Sequence, residues 1–200
     1  MDHFLRIFLP LYLLAVFVGV MAGRSYLVWK RTGINPYKLG STESAHDLVG
    51  RFFRYDSLLV IISVAVFSAS SWAYNYLVPI TWLEHPYVKA GGVVLLFAAL
   101  VWVAVAQTQM GASWRVGIDS EHETELVKKG LFTLSRNPIF LGMRVILFGL
   151  FLTIPNALTL VAFVVGDVLM QVQVRLEEEH MAELHGERFA DYRREVRRWI

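Results

Sequence analysis

Five stretches, at 7–23, 57–79, 90–110, 138–153 and 157–174, are dominated by aliphatic and aromatic residues and hold no charged side chain except Arg144 in the fourth and Asp167 in the fifth. A helix rises about 1.5 Å per residue, so about 20 such residues cross the roughly 30 Å hydrocarbon core of a bilayer. Hydrophobic residues make up 56% of the chain and the mean hydropathy is +0.47, so lipid is the solvent for much of the surface. Only Thr153-Ile-Pro155-Asn156 separates the fourth and fifth stretches, which therefore read as a tight antiparallel hairpin. The expected architecture is an all-α integral membrane fold. It has five transmembrane helices, the fourth and fifth forming a helical hairpin, and a C-terminal amphipathic cytoplasmic helix, all in one domain over residues 1–200.

Lysine and arginine are retained on the cytoplasmic side of a membrane, and their distribution gives an orientation. Arg24, Lys30, Arg31, Lys38, Arg51 and Arg54 fall in the first loop, and Arg115, Lys128, Lys129 and Arg136 in the third. Arg175, Arg188, Arg193, Arg194, Arg197 and Arg198 fall in the tail, whereas Lys89 stands alone in the second and fourth loops. This places the N-terminus outside and the C-terminus in the cytoplasm. The first stretch is read as a mature helix, because Asp2 and Arg6 make a poor n-region and Met21-Ala22-Gly23 a poor cleavage site. The basic inner face suits anionic lipid headgroups, with no nucleic acid as partner.

The chain has no cysteine, which removes disulfides, thiolate metal sites and cysteine nucleophiles together. Its six histidines are scattered without an i,i+4 pair, and no metal site is expected. In the first loop, Ala45 to Arg54 mixes charge and aromatic residues as an interfacial helix does. Gly19 and Gly23 form a small-xxx-small pair suited to close helix packing. In the tail, Met181, Leu184, Phe189, Tyr192, Val196 and Trp199 recur at helical spacing, with an interruption at Gly186, and describe an amphipathic helix on the inner leaflet or across the mouth of the bundle.

If the hairpin turns between Pro155 and Asn156, Arg144 lies level with Asp167 and Arg136 with Arg175. Ionised groups at membrane depth are expensive, so Arg144 and Asp167 are either a structural pair or members of a site. Arg136, Phe140 and Arg144 share one helix face, and Asp167, Gln171, Val174 and Glu178 another. Two polar stripes running to the same end describe the lining of a half-open cavity between helices. Glu178 at its mouth is expected to be held for a ligand rather than for packing, with Glu179 on a different face.

Gly111-Ala-Ser-Trp114, Leu126-Val127-Lys-Lys-Gly130-Leu-Phe132, Arg136-Asn137-Pro138-Ile-Phe140, Glu177-Glu178 and Gly186-Glu-Arg-Phe189-Ala-Asp-Tyr192 follow one another through the C-terminal half. In order and spacing they resemble the isoprenylcysteine carboxyl methyltransferase family and its bacterial and phospholipid-methyltransferase relatives. Thr32-Gly-Ile-Asn-Pro36 is similar to the first loop of bacterial members. Where that family commonly has Arg-His-Pro this chain has Arg136-Asn137-Pro138. Phe140 and Phe189 stand at its tyrosines, and Gln173 replaces an arginine shortly before the glutamates.

The resemblance implies S-adenosylmethionine as cofactor, held in the half spanning 111–200 by Leu126, Val127, Gly130, Phe132, Arg136, Asn137, Pro138, Phe140, Glu177 and Glu178. Arg136, Glu178 and Arg144 are the expected catalytic residues, with Glu178 as the base if the acceptor is an amine. The implied activity is methyl transfer to a lipophilic or prenylated acceptor, either an isoprenylcysteine-like carboxylate or a lipid headgroup. The implied location is the bacterial inner membrane, among membrane lipids. Two other classes fit an apolar chain with buried charges: an NADPH-dependent reductase of the sterol-reductase type, and a non-enzymatic membrane transporter or assembly protein. No strand followed by a glycine-rich loop is present, which excludes a soluble methyltransferase.

Overall fold

The computed structural model describes residues 1–36, 44–117 and 125–200. Lys38 in the first loop and His122 in the third lie outside the described residues. Helices account for 82% of what is described, and no strand occurs there. Helix α1 spans Asp2–Thr32, α2 Ala45–Ala69, α3 Pro86–Met110, α4 Pro138–Thr153, α5 Ala157–His185 and α6 Glu187–Glu195. The protein is all-α, and four of these helices, α1, α2, α3 and α5, are long and apolar enough to cross a membrane. Helix α4 has 16 residues, a length of about 24 Å at the helical rise.

Several boundaries differ from the sequence expectation for identifiable reasons. The interfacial helix expected from Ala45 and the second apolar stretch are one helix. The Ser44 side chain caps it by accepting from the Asp47 N–H at 3.2 Å, and no breaker follows Arg54. That helix stops at Ala69, because Ser70 is extended and caps a separate turn, Ser71–Tyr74, through the Ala73 N–H. Helix α1 continues through a π-helical segment, Ala15–Gly23, that contains the expected small-residue packing pair. A Cβ at Gly19 would meet nothing within 4 Å, and one at Gly23 would meet the Val18 carbonyl of the same helix at 3.1 Å, so among the described residues no other helix crowds either position.

The core joins Leu5, Leu9 and Tyr12 of α1, Val60, Val64 and Phe67 of α2, Leu96, Ala99 and Val103 of α3, and Ile146 and Leu150 of α4. Outward-facing Leu11, Val18, Leu58, Val94, Val101, Val164 and Val168 are exposed, which suits lipid and not water. Glycine lets α3 and α4 approach closely. A Cβ at Gly92 would stand 2.8 Å from the Gly149 carbonyl, and one at Gly142 would stand 2.4 Å from a Val103 methyl. Trp102 donates to the Pro138 carbonyl at 2.8 Å, fixing the start of α4 against α3.

Between α4 and α5 the chain reverses at Ile154-Pro155-Asn156. Asn156 forms a capping box with Thr159: its side chain accepts from the Leu158 N–H at 2.9 Å and the Thr159 N–H at 3.0 Å, and its own N–H donates to Thr159 Oγ1 at 3.2 Å. Beyond that reversal the two helices lie side by side. The Arg144 guanidinium donates to Asp167, and Gln171 donates to the other oxygen of the same carboxylate at 2.7 Å. Equal depth from the turn thus brought these two together. It did not hold for Arg136 and Arg175: Arg136 meets Glu178, and Arg175 donates to the Gln171 carbonyl at 2.7 Å.

Candidate functional site

Three chain segments converge near the end of α5, each for a local reason. Pro138 opens α4 at its first position, where a missing N–H costs nothing, and the residues before it, Ser135 to Asn137, run free of the helix. Helix α5 carries its charged last third past the apolar stretch. At Gly186, with φ +51°, it turns into the nine-residue α6, and the chain then runs extended from Val196. This last segment lies along 135–137. The Arg136 N–H donates to the Arg197 carbonyl at 3.0 Å, and Ser135 Oγ donates to the Arg198 carbonyl at 3.1 Å.

Glu178 is the hub. Arg136 donates to it through Nε at 3.1 Å and Nη2 at 3.2 Å, and Asn137 Nδ2 donates at 3.0 Å. Arg198 adds Nη2 at 2.8 Å and Nε at 3.2 Å. The Arg136 and Glu178 side chains are only 9% and 7% exposed. A carboxylate so buried is stable only when donors replace the water it has lost, and both oxygens are provided for. Glu178, expected to be held for a ligand, lines the cavity and in this structure pairs with both arginines, joining the last segment to 135–137. Glu178 in turn holds the Arg198 guanidinium above its ordinary pKa.

Arg198 was counted in the sequence only as one of many tail arginines. Its pairing could not have been read there, because 20 residues and a glycine turn separate it from Glu178. Trp199 lies over the Arg144 guanidinium at 4.5 Å from its ring centroid, so the same segment covers the Arg144–Asp167 pair. Tyr192 donates to the Phe132 carbonyl at 2.6 Å, and burial pushes its phenol up to about 12, which keeps it a neutral donor. Lys128 lies over the Tyr192 ring and donates to the Arg188 carbonyl at 3.0 Å. The tail expected on a leaflet or across the mouth of the bundle is packed on the third loop.

A cavity of about 110 Å³ opens beside this cluster, walled by Met110, Leu126, Val127, Phe132, Met181, Phe189 and Tyr192, with Arg136, Asn137, Glu177 and Glu178 as its polar lining. It shares Met110, Ser113, Glu125, Leu126 and Val127 with a larger cavity of about 700 Å³ that reaches Thr32, Gln109 and Arg115. That volume lies within the range of small-molecule sites. Gly130 lines neither cavity. It is needed for its φ of +60°, and because a Cβ there would stand 2.3 Å from the Gln109 side chain, whose Oε1 accepts from the Leu131 N–H. Pro138 and Phe140 also lie off the lining, as does Arg144.

Glu177 differs from its neighbour. It lines the cavity, and its one hydrogen bond comes from Gln173 Nε2 at 2.8 Å. No arginine or lysine among the described residues pairs with it, and no group of three or more metal-ligating side chains occurs among them. The site thus offers an apolar slot, an inward carboxylate with no counter-cation among the described residues, and two arginines that share the single charge of Glu178.

A comparison with curated proteins returns no match. The family comparison is positive: residues 87–188, half of the chain and the part that supplies most of the lining of both cavities, match the phospholipid methyltransferase model. With its long apolar helices and this match, the chain belongs to the phospholipid methyltransferase family and is an integral membrane methyltransferase.

Proposed function

We propose that the protein transfers the methyl group of S-adenosylmethionine to a lipophilic acceptor reached from the bilayer. The observation that carries this reading is Glu177, a cavity-lining carboxylate without a cationic partner among the described residues, beside an apolar slot that continues into a space large enough for a nucleoside. When bound, the cofactor supplies a methyl group on a cationic sulfur, open to in-line displacement. Family members generally use it. Its ammonium and sulfonium are cationic, and either matches Glu177, while the carboxylate of its amino-acid end is anionic. Its adenosine matches Leu126, Val127, Phe132 and Phe189.

The chain's own contribution is placement and desolvation. Glu177 presents charge to the cation, and the apolar walls keep water from the reacting atoms. Arg136, Asn137 and Arg198, locked by Glu178, set the shape of the wall. An amine acceptor must lose a proton, and Glu177 is better placed than Glu178 to take it, since both oxygens of Glu178 accept from guanidinium or amide N–H groups. A carboxylate acceptor of the isoprenylcysteine kind would need no base. Arg144, off the cavity lining, holds α4 against α5.

In this reading α4 and α5 cross as a hairpin, giving five spans, with the N-terminus outside and the cavity at the cytoplasmic face of a bacterial inner membrane. The lysine and arginine distribution supports that orientation. Titration calorimetry of the protein in detergent is expected to show binding of S-adenosylmethionine and S-adenosylhomocysteine but not of NADPH. Binding of NADPH alone would replace the transferase by a reductase. Incubation of lipid extracts with methyl-labelled cofactor then identifies the acceptor. Single cysteines at Ser41, His85 and Ser120 test the orientation, and only His85→Cys should react with an impermeant reagent on intact cells.

A further inference from the structure

Glu177 is connected to a residue 131 positions earlier by a buried chain that the cavity itself does not require. His46, in the first turn of α2, is 8% exposed, and Gln173, one turn before Glu177 on α5, is 3% exposed. Gln173 Nε2 lies 2.7 Å from His46 Nδ1 and 2.8 Å from Glu177 Oε1. An amide nitrogen carries two hydrogens, enough for both contacts, and Gln173 Oε1 also lies 3.0 Å from His46 Nδ1, so the imidazole engages the amide as acceptor from the Gln173 nitrogen or as donor to its oxygen, according to its tautomer. The amide cannot turn to aim its oxygen at Glu177 without setting acceptor against acceptor. Its direction, and with it the Glu177 rotamer, is set from α2.

Such a chain has a use at a carboxylate that faces a cavity. A glutamate side chain samples many rotamers, and holding it in one before the ligand arrives removes that entropy from the cost of binding. The bond from Gln173 leaves Oε2 without a hydrogen bond among the described residues and adds no charge that would cancel the attraction for a cation. The neighbouring Glu178 shows the alternative, a carboxylate consumed by arginines.

We propose that His46 and Gln173 are positioning residues for Glu177, holding its carboxylate toward the cavity with one oxygen left for a cationic group of the ligand. This rests on the reading of the cavity as the S-adenosylmethionine site. It extends that site from the C-terminal half to α2, outside the family match.

The test measures the dissociation constant of S-adenosylmethionine by calorimetry, and the melting temperature, for the full chain and four variants in detergent. Gln173→Met keeps the length of the side chain without its donors. It is expected to weaken binding about tenfold, as is Glu177→Gln, measured well below the melting temperature. His46→Leu should weaken binding several-fold, and His46→Asn, whose amide oxygen can accept from Gln173, should restore it to within about threefold. If the unaltered chain binds no S-adenosylmethionine, the cavity reading falls and this inference with it. If it binds, and Gln173→Met and His46→Leu lower only the melting temperature, the positioning role alone is overturned. Should Gln173→Met fail to fold, the two His46 variants decide, and equal weakening by leucine and asparagine overturns the proposal.

Discussion

The two ends of the α4–α5 pair are closed by opposite means. At the reversal, Thr153, Ile154 and Asn156 are fully buried, and their hydrogen bonds among the described residues join neutral groups. Asn156 and Thr159 satisfy each other's backbone, Asn156 Nδ2 donates to the Ile154 carbonyl at 2.9 Å, and the Ile80 N–H donates to the Pro155 carbonyl at 2.8 Å. At the other end, Glu178, Arg136, Asn137 and Arg198 join segments 20 to 42 residues apart through charge. The reversal shows that this fold can close a chain with backbone, one asparagine and one threonine. Closure alone therefore does not call for buried ions, whose desolvation is costly. What the charges add is a rigid wall beside Glu177.

The largest expected effect strikes the charged end. Glu178→Gln leaves two guanidinium groups around a neutral amide, and a loss of about 3 kcal/mol is expected, as when one partner of a buried pair is removed. Thermal melting in detergent, together with faster proteolysis after Gly186, would show it, while the exposed Glu179→Gln should change neither. An unchanged melting temperature for Glu178→Gln would break the contrast between the two ends.

Asn156→Ala is expected to cost about 2 kcal/mol, since it removes a cap and leaves buried N–H groups of α5 unsatisfied. It should not alter S-adenosylmethionine affinity below the melting range, because no charge reaches the cavity from this end. A loss of affinity equal to that of Glu177→Gln would show that the ends are mechanically coupled.

The Arg144–Asp167 pair is intermediate in place and in size. Its side chains are 27% and 22% exposed, and a double-mutant cycle with alanine is expected to give a coupling of about 1 kcal/mol, the double variant losing less than the sum of the two singles. Strict additivity would dissolve the pair. Smallest is Tyr192→Phe, which deletes the donor to Phe132 without changing packing and should cost about 1 kcal/mol or less. A clearly larger loss would mean that this one hydrogen bond, rather than Glu178, holds the last segment on the third loop.

Much of the α4–α5 pair was legible because membrane helices obey simple spacing. Apolar stretches marked the helices, four of them long enough to span a membrane, and depth counted from Pro155 matched Arg144 with Asp167. The same count failed for Arg136, which precedes Pro138 and so leaves the helical rise on which the count depends. Arg136, Asn137 and Glu178 were singled out and do converge. Their partner Arg198 was lost among equivalent arginines, since nothing local distinguishes one tail arginine from another. The first helix boundaries erred where a serine cap, a weak local signal, overrode the change from mixed to apolar composition at Arg54.

By itself the sequence determined that this protein is helical, that lipid covers it, and which charges stand too deep to be solvated, since these follow from the cost of transferring each side chain from water. It also carried enough ordered motif to resemble the methyltransferases whose family it joins. Only the tertiary structure decided which carboxylate is spent and which is available. Glu177 and Glu178 are chemically identical neighbours, and a rotation of about 100° between successive helical residues turns one toward Arg136 and Arg198 and the other toward Gln173 and the cavity. That choice depends on how α2, α4 and the last segment dock around α5, which is a property of packing and not of composition.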